Sequence, residues 1–337
     1  MLSFNANDRR YGESRVVTKA LPPDRLAVDG DLADSLAPAK GLRHASSSSQ
    51  ELLRTLLGDY WFGRDTFIPS AALVELLGTF GMTEQAGRAI LSRASRNGTL
   101  IGRRESRHTA YRMAPEGVRL TLMTGRNILR FAGQTPDRAP KWDGTWTLVS
   151  YALSTEQAEA RRRIRRYLRW RGFAPLQDGL WIAPRRRTDH IARLMRAHKV
   201  GTFALFEQAH QAAANELDPL SLWPMHEIAE RYQALIADFR KVVRRLRRRV
   251  PTGADALALR TEAMTAWRPM PRVDPNLPLE MLPAKWPGWT ARQLFTEVYD
   301  TLGPPAAQHV EAVVGKYSAE AAAAVQFDTV AHPRPAR

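Results

Sequence analysis

Apolar positions first acquire a helical period at Leu53, Leu56, Leu57 and Tyr60, behind Ser48 and Glu51, whose three-residue spacing is that of a capping box. A first helix is expected to run to Tyr60. Pro69 or Ser70 opens a second, with Leu73, Leu76, Leu77 and Phe80 on its apolar side and Gly81 as a left-handed stop. Thr83 caps a third, which carries Glu84 in its first turn and ends at Asn97-Gly98. Its inward positions are Ala86, Ile90, Leu91 and Ala94. Gln85, Arg88, Ser92 and Arg96 follow at i, i+3, i+7 and i+11 on the opposite side, with Arg93 beside them. The pattern then changes to two short strands, Leu100–Arg103 and Thr109–Met113, joined by the polar turn Glu105-Ser106-Arg107-His108.

Helix, glycine-containing turn, capped helix and basic hairpin make the signature of a winged helix-turn-helix. Between Thr83 and Arg126 there are nine arginines and three glutamates. The outward residues are of base-reading type, since Arg can make paired bonds to guanine and Gln to adenine. A merely solvated helix face has the same composition, but turn, caps, hairpin and local charge together favour DNA. The candidate DNA contacts are Ser70, Thr83, Gln85, Arg88, Ser92, Arg93, Arg96, Arg103, Arg104, Arg107 and His108.

A further helix over 118–131 carries Val118, Leu122, Ile128 and Leu129 on one side, suited to linking domains or pairing with its twin. Helix-turn-helix proteins commonly act as dimers on two half-sites, so a homodimer is expected. Pro136 and Pro140 mark a linker. Beyond it, Trp146–Leu153 alternates as a strand, Thr155–Gly172 is helical, Leu180–Ala183 is a short strand, Thr188–Lys199 is helical and Thr202–Glu207 is again strand-like. A βαββαβ-like order predicts a ferredoxin-like α/β domain. Its first helix has Ala160, Ile164, Tyr167 and Leu168 inward, with Arg161, Arg162, Arg163, Arg165, Arg166, Arg169 and Arg171 crowding the rest. From Asp218 the chain reads as helices at Pro224–Val250, Asp255–Trp267 and Thr290–Thr301 around a proline-rich stretch. The expected organisation is α+β: a mobile tail over 1–44, a winged helix-turn-helix domain over 45–117, a linker or dimer helix over 118–140, a ferredoxin-like domain over 141–217, a mainly helical domain over 218–315 and a fraying tail from 316 to 337.

Composition narrows the chemistry. The chain has 337 residues, 50 Lys plus Arg against 34 Asp plus Glu, a formal charge of +16 and no cysteine. That excludes disulfides, thiol nucleophiles, zinc–thiolate and iron–sulfur sites. No run of 18 apolar residues marks a membrane span, the first 30 residues lack an apolar signal-peptide core, and a cytoplasmic location is expected. Only seven of the basic residues are lysine, a bias that codon composition alone can produce, so charge carries weight only where it is concentrated. The run Arg240-Lys241, Arg244-Arg245, Arg247-Arg248-Arg249 closes a helix, where cations complement the dipole. No phosphate loop, dinucleotide fingerprint, nucleophile elbow or zinc-protease motif occurs. His226 and Glu230, four apart, lack a third ligand. No catalytic or metal-binding residue is expected.

Three blocks of residues point to a family. Gly87-Arg88-Ala89-Ile90-Leu91-Ser92-Arg93 through Asn97-Gly98-Thr99-Leu100, with Tyr111 and Pro115-Glu116-Gly117, is the first. Trp142-Asp143-Gly144-Thr145-Trp146 with Gly172-Phe173 and Gly179-Leu180-Trp181-Ile182-Ala183-Pro184 is the second. The third is Leu282-Pro283-Ala284-Lys285-Trp286-Pro287-Gly288-Trp289 with Ala291-Arg292 and Tyr299. In this order, over about residues 50–305, they resemble the PaaX family of bacterial repressors. The resemblance implies a homodimeric repressor of aromatic-acid catabolism, typically of phenylacetate, released from operator DNA by an aryl-CoA thioester. It also implies a middle domain similar to the small CRISPR-adaptation nucleases. Those need an acidic residue just after the first strand, and here Ser150, Tyr151 and Ala152 stand near that point, so nuclease activity does not carry over. Ala94 and Glu105-Ser106 depart from the family pattern, which bears on the operator sequence. No cofactor is expected beyond an acyl-CoA effector. Its phosphates would meet Arg162, Arg166, Arg185 or Arg186, and its acyl group an aromatic pocket near Trp181 or Trp286. The alternative class is an RNA-binding or metal-dependent nuclease-like protein that uses the ferredoxin-like domain.

Overall fold

The computed structural model describes residues 49–332 except 106–107, 116–124, 126, 140, 185–187, 189 and 213–217. The expected tail over 1–44 therefore lies outside the described residues. Helix α1 (Ser49–Trp61) buries Leu53, Leu56, Leu57 and Tyr60, as its period requires, together with Trp61. A two-residue strand β1 (Ile68–Pro69) precedes α2 (Ser70–Gly78) and α3 (Glu84–Arg96). Strands β2 (Leu100–Glu105) and β3 (His108–Met113) form an antiparallel hairpin in register Leu100↔Met113 to Glu105↔His108, and β1 pairs with the outer side of β3. The hairpin is longer than the sequence pattern indicates because Arg104 and Glu105 continue the ladder, while its tip at 106–107 lies outside the described residues. The pattern does not reveal β1, since two residues cannot show alternation.

Much of the expected helix over 118–131 lies outside the described residues. Helix α4, described over residues 127–132, buries Ile128, Leu129, Phe131 and Ala132. Phe131 packs 6.0 Å from the Trp267 ring, so this apolar face is covered by the chain's own carboxy-terminal helices.

The middle unit runs β4 (Trp146–Ala152), α5 (Ala158–Trp170), β5 (Ala174–Gln177), β6 (Leu180–Ala183), α6 (Ile191–Ala197) and β7 (Thr202–Ala209). The sheet order is β5-β6-β4-β7, antiparallel throughout. Alternation along the strands divides the side chains between two cores. Val149 and Trp181 meet Ile164, Leu168, Ile191 and Met195 of the helices. Trp146, Ala174 and Ile182 on the reverse face meet Trp223, Leu277 and Met281, so the segment after residue 218 covers the second face. Gly172 lets the chain turn there: at φ +81, a Cβ would stand 2.6 Å from the Pro275 carbonyl oxygen.

The rest is helical: α7 (Met225–Arg248), α8 (Gly253–Trp267), α9 (Met270–Val273), α10 (Gly288–Thr301), α11 (Gly303–Gly315) and α12 (Ala319–Ala323). α7 packs on α10, and α8 on α11. Their apolar faces join those of α1–α4 in one continuous core. α11 is hidden from a sequence reading because Gly303-Pro304-Pro305 looks like a break, yet proline is tolerated in a first helical turn. The expectation that the chain frays after 316 is corrected for the described residues. The Trp61 indole donates to the Ala321 carbonyl (3.1 Å), the Gln326 side-chain amide to the Phe62 carbonyl (2.8 Å), and the Val330 amide to Asp300 (2.7 Å). Small alanines allow this close approach, where a composition-based reading sees only a weakly apolar tail.

Arg260 on α8 ties these pieces together. It is fully buried and donates to the Tyr299 carbonyl (3.3 Å), the Asp59 carboxylate (3.3 Å), the Tyr60 hydroxyl (3.4 Å) and the Asp328 carbonyl (2.6 Å). Its guanidinium lies 3.8 Å from the Tyr299 ring centroid. Burial pushes the Tyr60 hydroxyl up to about 12 and raises the Asp59 carboxyl, against the pull of Arg260. Removing the cation leaves Asp59 and two carbonyls without it. Arg260→Ala is expected to cost about 3–5 kcal/mol in urea unfolding, with loss of protection in 317–332; a change under about 1 kcal/mol would refute this role.

Candidate nucleic-acid interface

α3 owes its orientation to a few local features. The Thr83 hydroxyl accepts from the Ala86 amide at 3.2 Å, Gly81 turns the chain at φ +77, and Gly87 lies against Val74 of α2. A Cβ on Gly87 would stand 3.4 Å from the Val74 methyl groups, so the two helices meet here in close contact. Ile90, Leu91 and Ala94 are buried as expected; Ala86 is half-buried. Gln85, Arg88, Ser92, Arg93 and Arg96 are all exposed, so the predicted stripe is an outward surface. Arg88 is held by Glu84 one turn back, with Nε 3.0 Å from the carboxylate. The i,i+4 spacing of this pair is a signal that the base-reading pattern alone does not use. The pairing presets the guanidinium and must be exchanged for any external acceptor.

The hairpin adjoins α3. Gly102 on β2 lies beside Ser95 of α3 and Tyr111 of β3. Arg103, Arg104 and His108 are exposed, and Arg107 lies outside the described residues. Arg103 stacks 4.2 Å from the centroid of the Phe67 ring. Arg112 approaches the same ring at 5.3 Å and bonds Asp65 at 3.0 Å. The loop before β1 thus steers two hairpin arginines, a role that no sequence motif marks. Ser70 stands half-buried at the start of α2, and Thr83 is exposed but spends its hydroxyl on the cap. Chemically the surface is rich in donors with an interleaved amide and hydroxyl, suited to phosphates and base edges.

Among the described residues, the predicted effector candidates lie in two separate cores and on one helix. Trp181 and Trp286 are 2% and 5% exposed and fill separate cores, the first within the sheet–helix layer and the second 5.6 Å from Tyr232. Arg162 and Arg166 are exposed on α5, and Arg185 and Arg186 lie outside the described residues. The arginines of α5 are not uniformly bare either. Arg163 pairs with Glu159, Arg165 with Asp178 at 3.1 Å, and Arg161 donates to the Leu153 carbonyl at 2.8 Å.

In two of the motif blocks, single residues hold the local structure together. Asp143 accepts from the Thr145 amide and hydroxyl at 2.9 and 2.7 Å, tightening the turn before β4. Arg292 is buried 4.1 Å from the Phe131 centroid and 4.5 Å from that of Trp289, and donates to Asp274 at 3.3 Å. Asp274 also accepts from the Tyr232 hydroxyl at 2.6 Å. Among the described residues no three His, Asp or Glu side chains stand together as a metal site, and His226–Glu230 is an exposed pair at 3.4 Å. No helix among them is long and apolar enough to cross a membrane.

An α+β chain in three successive parts, with one donor-rich helix face, meets three family models in the same order. Residues 48–117 match the PaaX-like protein model, 139–219 the PaaX protein central Cas2-like domain, and 223–312 the PaaX-like protein C-terminal domain. The chain belongs to the PaaX family. It is 28% identical over 273 residues to the transcriptional repressor PaaX of Escherichia coli strain K12, covering 77% of this chain and 82% of that one. In fold it is similar to the uncharacterised protein Rv0674 from Mycobacterium tuberculosis, with a TM-score of 0.50, 22% identity and coverage of 78% of this chain and 97% of the other.

The cap is the simplest test of how α3 is held. Thr83→Ala is expected to cost about 0.5–2 kcal/mol in chemical unfolding, and Thr83→Ser much less. Equal losses for both would show that the cap hydrogen bond does not position the helix.

Proposed function

We propose that this chain is a DNA-binding transcriptional regulator, acting as a repressor, whose residues 49–115 work as a winged helix-turn-helix. The observation that carries this reading is the exposed stripe Gln85, Arg88, Ser92, Arg93 and Arg96 on a helix that is capped, packed against α2 and flanked by a basic hairpin. α3 enters the major groove, and Arg103, Arg104 and His108 meet the adjoining backbone. The middle unit, with its βαββαβ order, is read as a ferredoxin-like domain, and residues 218–315 as the helical domain that braces both. The name of the Escherichia coli relative supports a repressor rather than an enzyme, and the RNA-binding or nuclease-like alternative has no comparable support.

The finer reading follows the family resemblance: a homodimer in the cytoplasm, bound to the operator of an aromatic-acid catabolic operon of phenylacetate type, and released by an aryl-CoA thioester. Exposed Arg162 and Arg166 are the described cations offered to the CoA phosphates. Release requires that the effector bind more tightly to a dimer geometry that misaligns the two α3 helices with their half-sites.

Selection of duplexes from a random pool by the full chain is expected to return a pseudo-palindrome. Arg88→Ala or Arg93→Ala should weaken binding to it by about 1–3 kcal/mol and relax the preference at one base pair. Undiminished affinity in both variants would contradict the assignment of α3. Phenylacetyl-CoA added to the complex is expected to release the duplex.

A further inference from the structure

The carboxy-terminal end of α7 bears a concentration of charge that the fold does not use. Arg240, Lys241, Arg244, Arg245, Arg247, Arg248 and Arg249 are all exposed, while Val242, Val243 and Leu246 between them are buried. Among the described residues, Lys241 pairs with Asp238 at 3.0 Å and Arg247 with Glu297 at 3.1 Å; no acid stands in ion-pair reach of the other five. Complementing the helix dipole accounts for cations in the last turn, here Arg245, Arg247 and Arg248, but not for Arg240, Lys241 or Arg244 one to two turns earlier. Arg240, Arg244 and Arg248 recur at i, i+4 and i+8, where like charges repel. The stripe is about 12 Å long at ~1.5 Å per residue, a length over which duplex DNA carries roughly seven phosphate charges at one per ~1.7 Å.

Its position in the fold supplies the second argument. α8 begins at Gly253, where a Cβ would stand 3.9 Å from His309 of α11. His309 feels the charge of Glu75 on α2, and Glu75 accepts from Lys316 (2.6 Å) and Tyr317 (2.8 Å). Tyr317 in turn feels Glu84 in the first turn of α3. Through α8 and α11, which packs on α2, the basic end of α7 is joined by one continuous core to the helices that carry α3. α5, the other arginine-rich helix, instead packs near α9, beyond the opposite end of α8.

We infer that the cationic end of α7 is a second DNA-binding surface, which grips the phosphate backbone flanking the half-site read by α3. It adds affinity and length of footprint without sequence preference. This inference rests on the DNA-binding reading above. A duplex is favoured over an anionic membrane because the surface between the arginines is closed apolar core, with Val250 the one large apolar side chain exposed beside it among the described residues.

The test compares the full chain with the triple variant Arg244→Gln, Arg245→Gln, Arg248→Gln, and with a charge-matched control in the middle unit, Arg193→Gln, Arg196→Gln, Lys199→Gln, whose residues are exposed and belong to no site named above. Each is titrated at several salt concentrations with a selected duplex, with the same duplex trimmed to the α3-protected core, and with a scrambled duplex. The α7 variant is expected to flatten the slope of log affinity against log salt by about 0.9 for each phosphate that is no longer neutralised, ~2–3 in all. It should weaken selected and scrambled duplexes alike and forfeit the added affinity that flanking sequence confers. The control variant should keep both the slope and that added affinity. Equal behaviour of the α7 variant and the unmodified chain overturns the inference alone. Equal losses in both variants reduce it to bulk charge and overturn it as well. If the unmodified chain binds no duplex, the DNA-binding reading falls, and this inference with it.

Discussion

The enclosure of Arg260 is the constraint on which the arrangement of this protein depends. A guanidinium with no access to water must find acceptors within the protein, and here they come from α1, α10 and the chain near residue 328. Once those acceptors converge, α1 cannot move independently of the carboxy-terminal helices, and the tail beyond α11 is drawn in between them. The apolar surfaces of α1–α4 and α7–α12 then close as a single core. Arg292 repeats the device nearby, bound to Asp274 and enclosed by Phe131 and Trp289. Because this region is braced from within, the outward face of α3 is presented on a rigid body and not on a hinged module.

That rigidity bears on regulation. A ligand that changes DNA affinity acts by biasing one geometry of the assembly over another. If α1–α3 are locked to the helical body, the movable joint lies elsewhere in the fold. The middle unit shares a smaller apolar contact with the body, through Trp146, Ile182, Trp223, Leu277 and Met281. In the homodimer proposed above, it is the place where a change in α5 or its surroundings would be transmitted to the relative placement of the two protomers.

Much of the first unit is legible in the sequence because each local choice in it agrees with its neighbours. Thr83 caps, Gly81 and Gly98 take positive φ, and Ile90, Leu91 and Ala94 fall on one face, so pattern and structure coincide. The stripe Gln85, Arg88, Ser92, Arg93 and Arg96 follows from the same period. Features that depend on distant partners or on few residues are not legible in this way. β1 is too short to alternate. β5 reads Ala-Pro-Leu-Gln and exists because β6 pairs with it. Helix α11 begins with residues that usually end helices, and the docked alanines of α12 carry little apolar signal. Tryptophans invite a ligand pocket, but Trp181 and Trp286 are large side chains filling cores. Counting arginines along α5 also overlooks that Glu159 and Asp178 neutralise part of the run.

On the proposed reading, one face of α3, carried on the helical body, meets duplex DNA. This is tested most directly by hydrogen exchange of the full chain with and without a duplex selected from a random pool. New protection is expected at 84–96 and in the hairpin 100–113, with α1, α8 and α10 unchanged because they are already closed around Arg260. Protection confined to the middle unit, with 84–96 exchanging as in the free chain, would contradict it.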